Sequence, residues 1–175
     1  MNAHGVNDHI ILLGFMGSGK TTVGALLAAR LARQFIDLDD CIEAAAGRRI
    51  ADVFEVLGEA AFRDLEAKAL TDLLAKADTP LVIALGGGAF AQQRNRESIA
   101  AARALTIFLD APLDVLKERC AGLLHRPLAR DPERFARLFN ERQPLYRLAA
   151  WTIGTGSGTP EDAVSAIAQR FDSGL

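Results

Sequence analysis

Cysteine is scarce: the 175 residues contain only Cys41 and Cys120. A small scaffold stapled by several disulfides is therefore excluded, and a reducing, cytosolic setting is expected. An excess of charge of one sign is also missing. Twenty Lys and Arg against 22 Asp and Glu leave a net charge of −2, which offers no basic footprint for nucleic acid or an anionic membrane surface. No apolar run approaches the roughly 20 residues a membrane span requires. The early run IILLGFM has no Lys or Arg before it and passes straight into a Gly-rich turn, which argues against a secretory signal. The three histidines, His4, His9 and His125, show no metal-ligand spacing. No repeat, low-complexity tract or linker divides the chain, so one domain spanning residues 1–175 is expected. With half of its residues hydrophobic, it can bury a sizeable core.

What is present is an alternation of short apolar runs with helical periodicity. His9–Leu13, Gln34–Asp37, Leu81–Leu85, Thr106–Leu109 and Ala150–Ile153 read as strands. Helical patterns follow the first turn as far as about Arg33, then run over Asp40–Ala46 with Gly47 as a left-handed stop, and over Ala51–Ala77 with Gly58 interrupting. Pro112 and Pro160 sit where a first helical turn accepts proline, the latter after Thr159 as cap. Continuous apolar strands separated by helices predict an α/β fold, a parallel sheet covered on both faces. Ligands of such sheets bind beyond the carboxyl ends of the strands, so chemistry is expected just after Leu13, Asp37, Leu85 and Leu109.

The first of these segments, Gly14-Phe15-Met16-Gly17-Ser18-Gly19-Lys20-Thr21, matches G-x-x-x-x-G-K-[ST]. Glycines let successive N–H groups turn toward phosphate oxygens, and the following helix start adds partial positive charge. Lys20 can reach the β- and γ-phosphates, and the Thr21 hydroxyl can ligate Mg²⁺. At ordinary residue frequencies one chance match is expected in roughly 200 chains of this length. The loop therefore speaks for a nucleotide, though not for a reaction.

The acceptor has to be read from other segments. Asp37 and Asp39 lie two apart, so on an extended segment they share a face, one for the Mg²⁺ water shell and one for an acceptor hydroxyl. The alternative is a helix cap with acids in its first turn, the role expected of Asp40. Gly86-Gly87-Gly88 exposes backbone N–H groups to a close ligand, or is only a flexible turn. Arg63 and Glu66 are one helical turn apart. They form either a surface pair or a guanidinium oriented by its neighbour to grip a carboxylate. Of the arginines crowded between Arg119 and Arg147, Arg134 and Arg137 are expected on a solvated helix face. Arg126 falls in a loop that can close over a nucleotide, and Arg142 stands where Pro144 breaks a helix. Tyr146 and Trp151 are read as packing groups, with Tyr146 near enough to Arg142 to support it.

In order, GFMGSGKTT, FIDLDDCIE, GEAAFRDLE, LGGGA, RPL and ERQPLY resemble the shikimate kinase family over roughly residues 10–150. The resemblance implies a three-layer αβα P-loop NTPase fold with a five-stranded parallel sheet, a mobile lid at about 112–130 and a substrate-binding helical region at about 38–64. It implies transfer of a phosphoryl group from ATP to the 3-hydroxyl of shikimate, a step toward chorismate and the aromatic amino acids. Asp39, Arg63, Gly87, Gly88 and Arg142 match the shikimate-contacting positions, with Asp39 as base and the two arginines on the carboxylate. Gly17, Ser18, Gly19, Lys20, Thr21, Thr22, Arg119 and Arg126 match the ATP positions, with Arg119 stacking on adenine, Arg126 on the lid, and the loop around Gly154–Pro160 beside the base. Lys20 and Arg126 join Asp39 as catalytic groups. Thr21 and Asp37 match the magnesium positions, through water. ATP and shikimate are the implied partners of a cytoplasmic monomer. A gluconate-kinase-like enzyme and a non-catalytic ligand-sensing module of the same fold are the alternatives.

Overall fold

The computed structural model describes residues 8–121 and 131–172. Five strands alternate with helices: β1 Ile10–Leu13, β2 Gln34–Asp37, β3 Leu81–Ala84, β4 Leu105–Asp110 and β5 Trp151–Gly154. The described residues form seven α-helices: α1 Lys20–Arg30, α2 Leu38–Ala46, α3 Ile50–Lys76, α4 Gln93–Ala101, α5 Leu113–Ala121, α6 Pro132–Tyr146 and α7 Pro160–Asp172. All strand pairings are parallel, in the order β2-β3-β1-β4-β5, with Ile11 opposite Ile83 on one side and Thr106 on the other. This is the expected α/β sheet.

Side-chain alternation along β1 explains why both faces need helices. Ile10 and Leu12 enter one core with Val23 and Leu27 of α1 and Ile167 of α7, whereas Ile11 and Leu13 enter another with residues of α2 through α6. All four strand residues are buried, and each such side chain contributes about 1.5–3 kcal/mol when removed from water. The chain leaves β1 toward β2 through α1 on one face, and leaves β3 toward β4 through α4 on the other. Since β1 and β3 are neighbours, their carboxyl ends flank the crevice in which sheets of this kind bind ligands.

Several local expectations change. Helix α1 stops at Arg30, because Ala32 turns left-handed (φ 51°) and the Arg33 N–H returns to the Ala28 carbonyl. Helix α4 has no counterpart in the sequence pattern, because QRNRESIAA carries little apolar periodicity and buries only Asn95 and Ile99. Helix α6 passes through Pro144 and ends at Tyr146. Proline removes one hydrogen bond near the helix end, where little ladder remains to be lost, so Arg142 lies within the helix and not at a break. Gly58 (φ 78°) kinks α3 where the interruption was expected, and Gly47 (φ 62°) stops α2. Thr159 and Asp162 cap α7 reciprocally. Arg134 and Arg137 are exposed, as a solvated face requires. Cys120 is buried and Cys41 only partly so, both as free thiols.

Candidate active site

The loop after β1 is shaped by residues that only glycine can be. Gly17 (φ 81°) and Gly19 (φ 94°) adopt the left-handed region, and a Cβ on Gly17 would lie 2.9 Å from Cys120 Sγ of the underlying α5. Gly19 caps α1 without a side-chain bond, and no acid stands in the first turn, so the helix start keeps its N–H groups and positive end for an anion. Lys20 Nζ arches over the loop and donates to the Gly14 and Phe15 carbonyls at 2.9 and 3.1 Å. Phe15 meets Phe135 and Phe139 edge-on, with centroids 5.0 and 5.6 Å away, which locks the loop to α6.

Beside this loop is a cavity of about 450 Å³, lined by the loop itself, Thr21, Thr22, Arg119, Thr155 and the Gly158–Pro160 turn. Arg119 joins its two walls, donating to the Gly17 carbonyl (3.3 Å) and the Thr155 carbonyl (2.7 Å). Thr155 Oγ1 donates in turn to the Ser18 carbonyl. Thr155 falls in the Gly154–Pro160 loop that the resemblance sets beside the base, but its bond to Ser18, across 137 positions, has no signal in the sequence.

Asp37 closes the phosphate end. It accepts from Thr21 Oγ1 at 3.2 Å through one oxygen and from the Asp39 N–H at 3.1 Å through the other. The helix-cap alternative is thus correct for Asp37, and the shared strand face is not. Leu38 already belongs to α2, so Asp39 projects from a helix. Thr21 and Asp37 present hard oxygens beside the phosphate loop, and no cluster of three or more His, Cys, Asp or Glu among the described residues is arranged to hold a metal. That donor set fits Mg²⁺, which keeps water and substrate phosphate oxygens as ligands.

The loop after β3 gathers the remaining side chains. None of Gly86, Gly87 and Gly88 has a left-handed φ; what they provide is space. A Cβ on Gly86 would strike the Asp39 carboxylate, one on Gly87 would stand 3.0 Å from Arg142 Nη1, and one on Gly88 would stand 2.8 Å from both Arg63 terminal nitrogens. Three residues distant in sequence therefore meet on three consecutive glycines.

Arg63 is not a surface residue. Its side chain is 16% exposed and that of Glu66 only 1%. Arg63 Nη1 reaches both Glu66 oxygens at 3.1 Å, and Nη2 reaches Glu59 at 3.2 Å. Arg63 Nε is buried without a partner. Burial pushes the Glu66 carboxyl above its ordinary value, with the nearby Asp39 charge adding to the shift and the Arg63 and Arg142 guanidiniums opposing it. The unfolded chain releases this proton near the ordinary 4.5, so the folded state loses relative stability as pH rises from there through the raised value. Glu66→Gln removes that contribution. Its Tm is expected to fall less steeply with pH across this window than that of the wild type; parallel Tm profiles would show that Glu66 ionises alike in both states.

Every candidate residue within the described regions reaches the crevice: Gly17, Ser18, Gly19, Lys20, Thr21, Thr22 and Arg119 around the cavity, Asp37 between, and Asp39, Arg63, Gly87, Gly88 and Arg142 beyond. Arg126 lies outside the described residues. Of the segment expected as a lid, 113–121 form α5, whose Leu116 and Cys120 are buried. Tyr146 does more than pack: its hydroxyl donates to the Gly87 carbonyl. The signal was its spacing of four from Arg142, which puts both on one helix face.

Comparison with known proteins gives the family. The shikimate kinase family model matches residues 16–172. A shikimate kinase of Bradyrhizobium diazoefficiens is 44% identical over 89% of this chain and 74% of its own, and one of Persephonella marina is 39% identical over 93% and 98%. Among solved structures, shikimate kinase from Acinetobacter baumannii in complex with shikimate superposes with a TM-score of 0.87 at 37% identity, covering 95% of this chain and 94% of that one. A gluconokinase from Sinorhizobium meliloti reaches a TM-score of 0.56 at 16% identity, which is a likeness of fold alone. The family model and relatives that share one name thus match this chain over most of its length, and the chain belongs to the shikimate kinase family.

Proposed function

We propose that the protein transfers the γ-phosphoryl group of ATP to the 3-hydroxyl of shikimate, yielding ADP and shikimate 3-phosphate. The observation that carries this reading is the meeting of Asp39, Arg142 and Arg63 on Gly86, Gly87 and Gly88, which follow β3, the strand paired with the β1 that leads into the phosphate loop. Arg63 and Arg142 hold the substrate carboxylate, the planar fork of Arg63 being oriented by Glu66. Asp39 aligns the acceptor hydroxyl and takes its proton. Lys20 and the loop N–H groups offset charge on the transferring group, and Arg119 with the Gly158–Pro160 turn seats the base. Thr21 and Asp37 would hold Mg²⁺, which supplies further neutralisation of the phosphate oxygens. Arg126, within the lid segment, is assigned to closure over ATP. Phosphoryl transfer depends on such positioning and charge compensation more than on covalent catalysis. We place the enzyme as a cytoplasmic monomer. A coupled ADP-release assay with shikimate and gluconate side by side tests the reading. Turnover with shikimate alone is expected, and turnover with gluconate alone would replace the substrate.

A further inference from the structure

The glycine loop is held from behind by a residue to which phosphoryl transfer assigns no part. Tyr146 ends α6 with 2% of its surface exposed, its ring tilted against Phe108 at a centroid distance of 5.4 Å. Its O–H donates to the Gly87 carbonyl oxygen. Burial pushes the phenol up to about 12, against the opposing effect of Arg142, so the donor persists at neutral pH. Arg142, one helical turn earlier, approaches the same glycine.

The carbonyl of Gly87 and the N–H of Gly88 belong to one peptide group. No cis peptide occurs, and in a planar trans peptide these two bonds point in opposite directions. A hydrogen bond that draws the carbonyl toward α6 therefore turns the Gly88 N–H away from it. Among the described residues, neither the Gly87 nor the Gly88 N–H donates to a protein group. Gly88 is nevertheless buried, a position where an N–H normally has an acceptor. The two terminal nitrogens of Arg63 lie against this same residue.

We propose that Tyr146 is a positioning residue for the acid substrate: its hydroxyl sets the plane of the Gly87–Gly88 peptide so that the Gly88 N–H and the Arg63 guanidinium face the same substrate oxygens. The inference rests on the substrate site proposed above. It deepens that reading by making the acceptor side of the site depend on a group that does not touch the acceptor. The nucleotide side, built on the loop after β1, does not share this dependence.

Tyr146→Phe removes only the hydroxyl. With both substrates varied, the variant is expected to raise the KM for shikimate roughly tenfold, the weight of one hydrogen bond at a buried group, while the KM for ATP stays within twofold. A purely structural role would lower Tm and leave the shikimate KM within twofold of wild type, and that result overturns the proposal. Tyr146 is the sole tyrosine of the chain, so full-length protein made with 3-fluorotyrosine gives one ¹⁹F resonance and needs no substitution. Should the Phe variant fail to fold, this resonance decides. A shift on adding shikimate but not a non-hydrolysable ATP analogue supports the proposal, and a resonance unmoved by shikimate overturns it. Wild-type protein assayed in parallel separates the two claims. Normal wild-type turnover with an unaffected variant removes Tyr146 alone, whereas a wild type that neither binds nor turns over shikimate removes the substrate site and Tyr146 with it.

Discussion

Asp39→Asn is expected to lower kcat with shikimate by about 10²–10⁴-fold, the weight of a positioned proton acceptor, while ATP binding stays at the wild-type level. Asn keeps the size of the side chain and a hydrogen-bonding oxygen but gives up the charge and the basicity. The cap of α2 does not depend on the altered group, because Asp37 accepts from the backbone N–H of residue 39 and not from its side chain. The cavity around Lys20 and Arg119, where ATP is expected, is lined by other residues. Steady-state ADP release and titration with a non-hydrolysable ATP analogue measure the two halves separately. Wild-type-like kcat would strip Asp39 of its part. Loss of ATP binding in step with kcat would instead mean that the two halves of the crevice are not independent.

Arg63→Ala is expected to have two separable consequences. Shikimate binding should weaken by about 1.5–3 kcal/mol, the range for a hydrogen bond to a charged group. Folding stability at pH 7 should also fall, by roughly 3–5 kcal/mol if Glu66 stays ionised, since that carboxylate is 1% exposed and would lose its guanidinium. Burial already raises the Glu66 pKa, so protonation relieves part of the cost and the deficit should shrink as pH is lowered toward 5. Denaturant unfolding at the two pH values tests this. Arg63→Lys distinguishes the effects: an ammonium restores charge beside Glu66, hence some stability, but lacks the planar fork and should leave shikimate binding impaired. An unchanged shikimate titration in Arg63→Ala would reduce Arg63 to a partner of Glu66 within the helix.

Both predictions depend on features that differ in how far they could be read from the chain. The central strands β1, β3 and β4 are legible because each is a short, nearly continuous apolar run buried from two sides, whereas the edge strands β2 and β5 are mostly only partly buried or exposed. The phosphate loop was visible because its chemistry is local, carried by eight consecutive residues. Helix α4 was not, since Gln93–Ala101 is anchored through Asn95 Nδ2 on the Ala89 carbonyl and Arg96 on the Phe90 and Ala91 carbonyls, contacts with no hydropathic period. For Asp37 and Asp39 a shared extended face and a helix cap both stay open in the sequence, because a spacing of two does not reveal that a helix begins between them.

The amino-acid sequence alone was sufficient for the parallel α/β architecture, the phosphate cradle and the set of residues that resemble a known family. Each depends on neighbours along the chain, whose backbone geometry repeats wherever the pattern occurs. It left open whether Arg63 and Glu66 form a surface pair or a clamp, whether the three glycines are a hinge or a cradle, and whether Tyr146 merely fills space. Tertiary structure decided where these groups lie: Arg63 and Glu66 are shielded from solvent, the three glycines stand against Asp39, Arg142 and Arg63, and the Tyr146 hydroxyl donates to the Gly87 carbonyl. Burial turns an ordinary ion pair into an oriented donor, and the clearance of a missing Cβ acquires meaning only once Asp39, Arg63 and Arg142 have been brought to it from three separate helices.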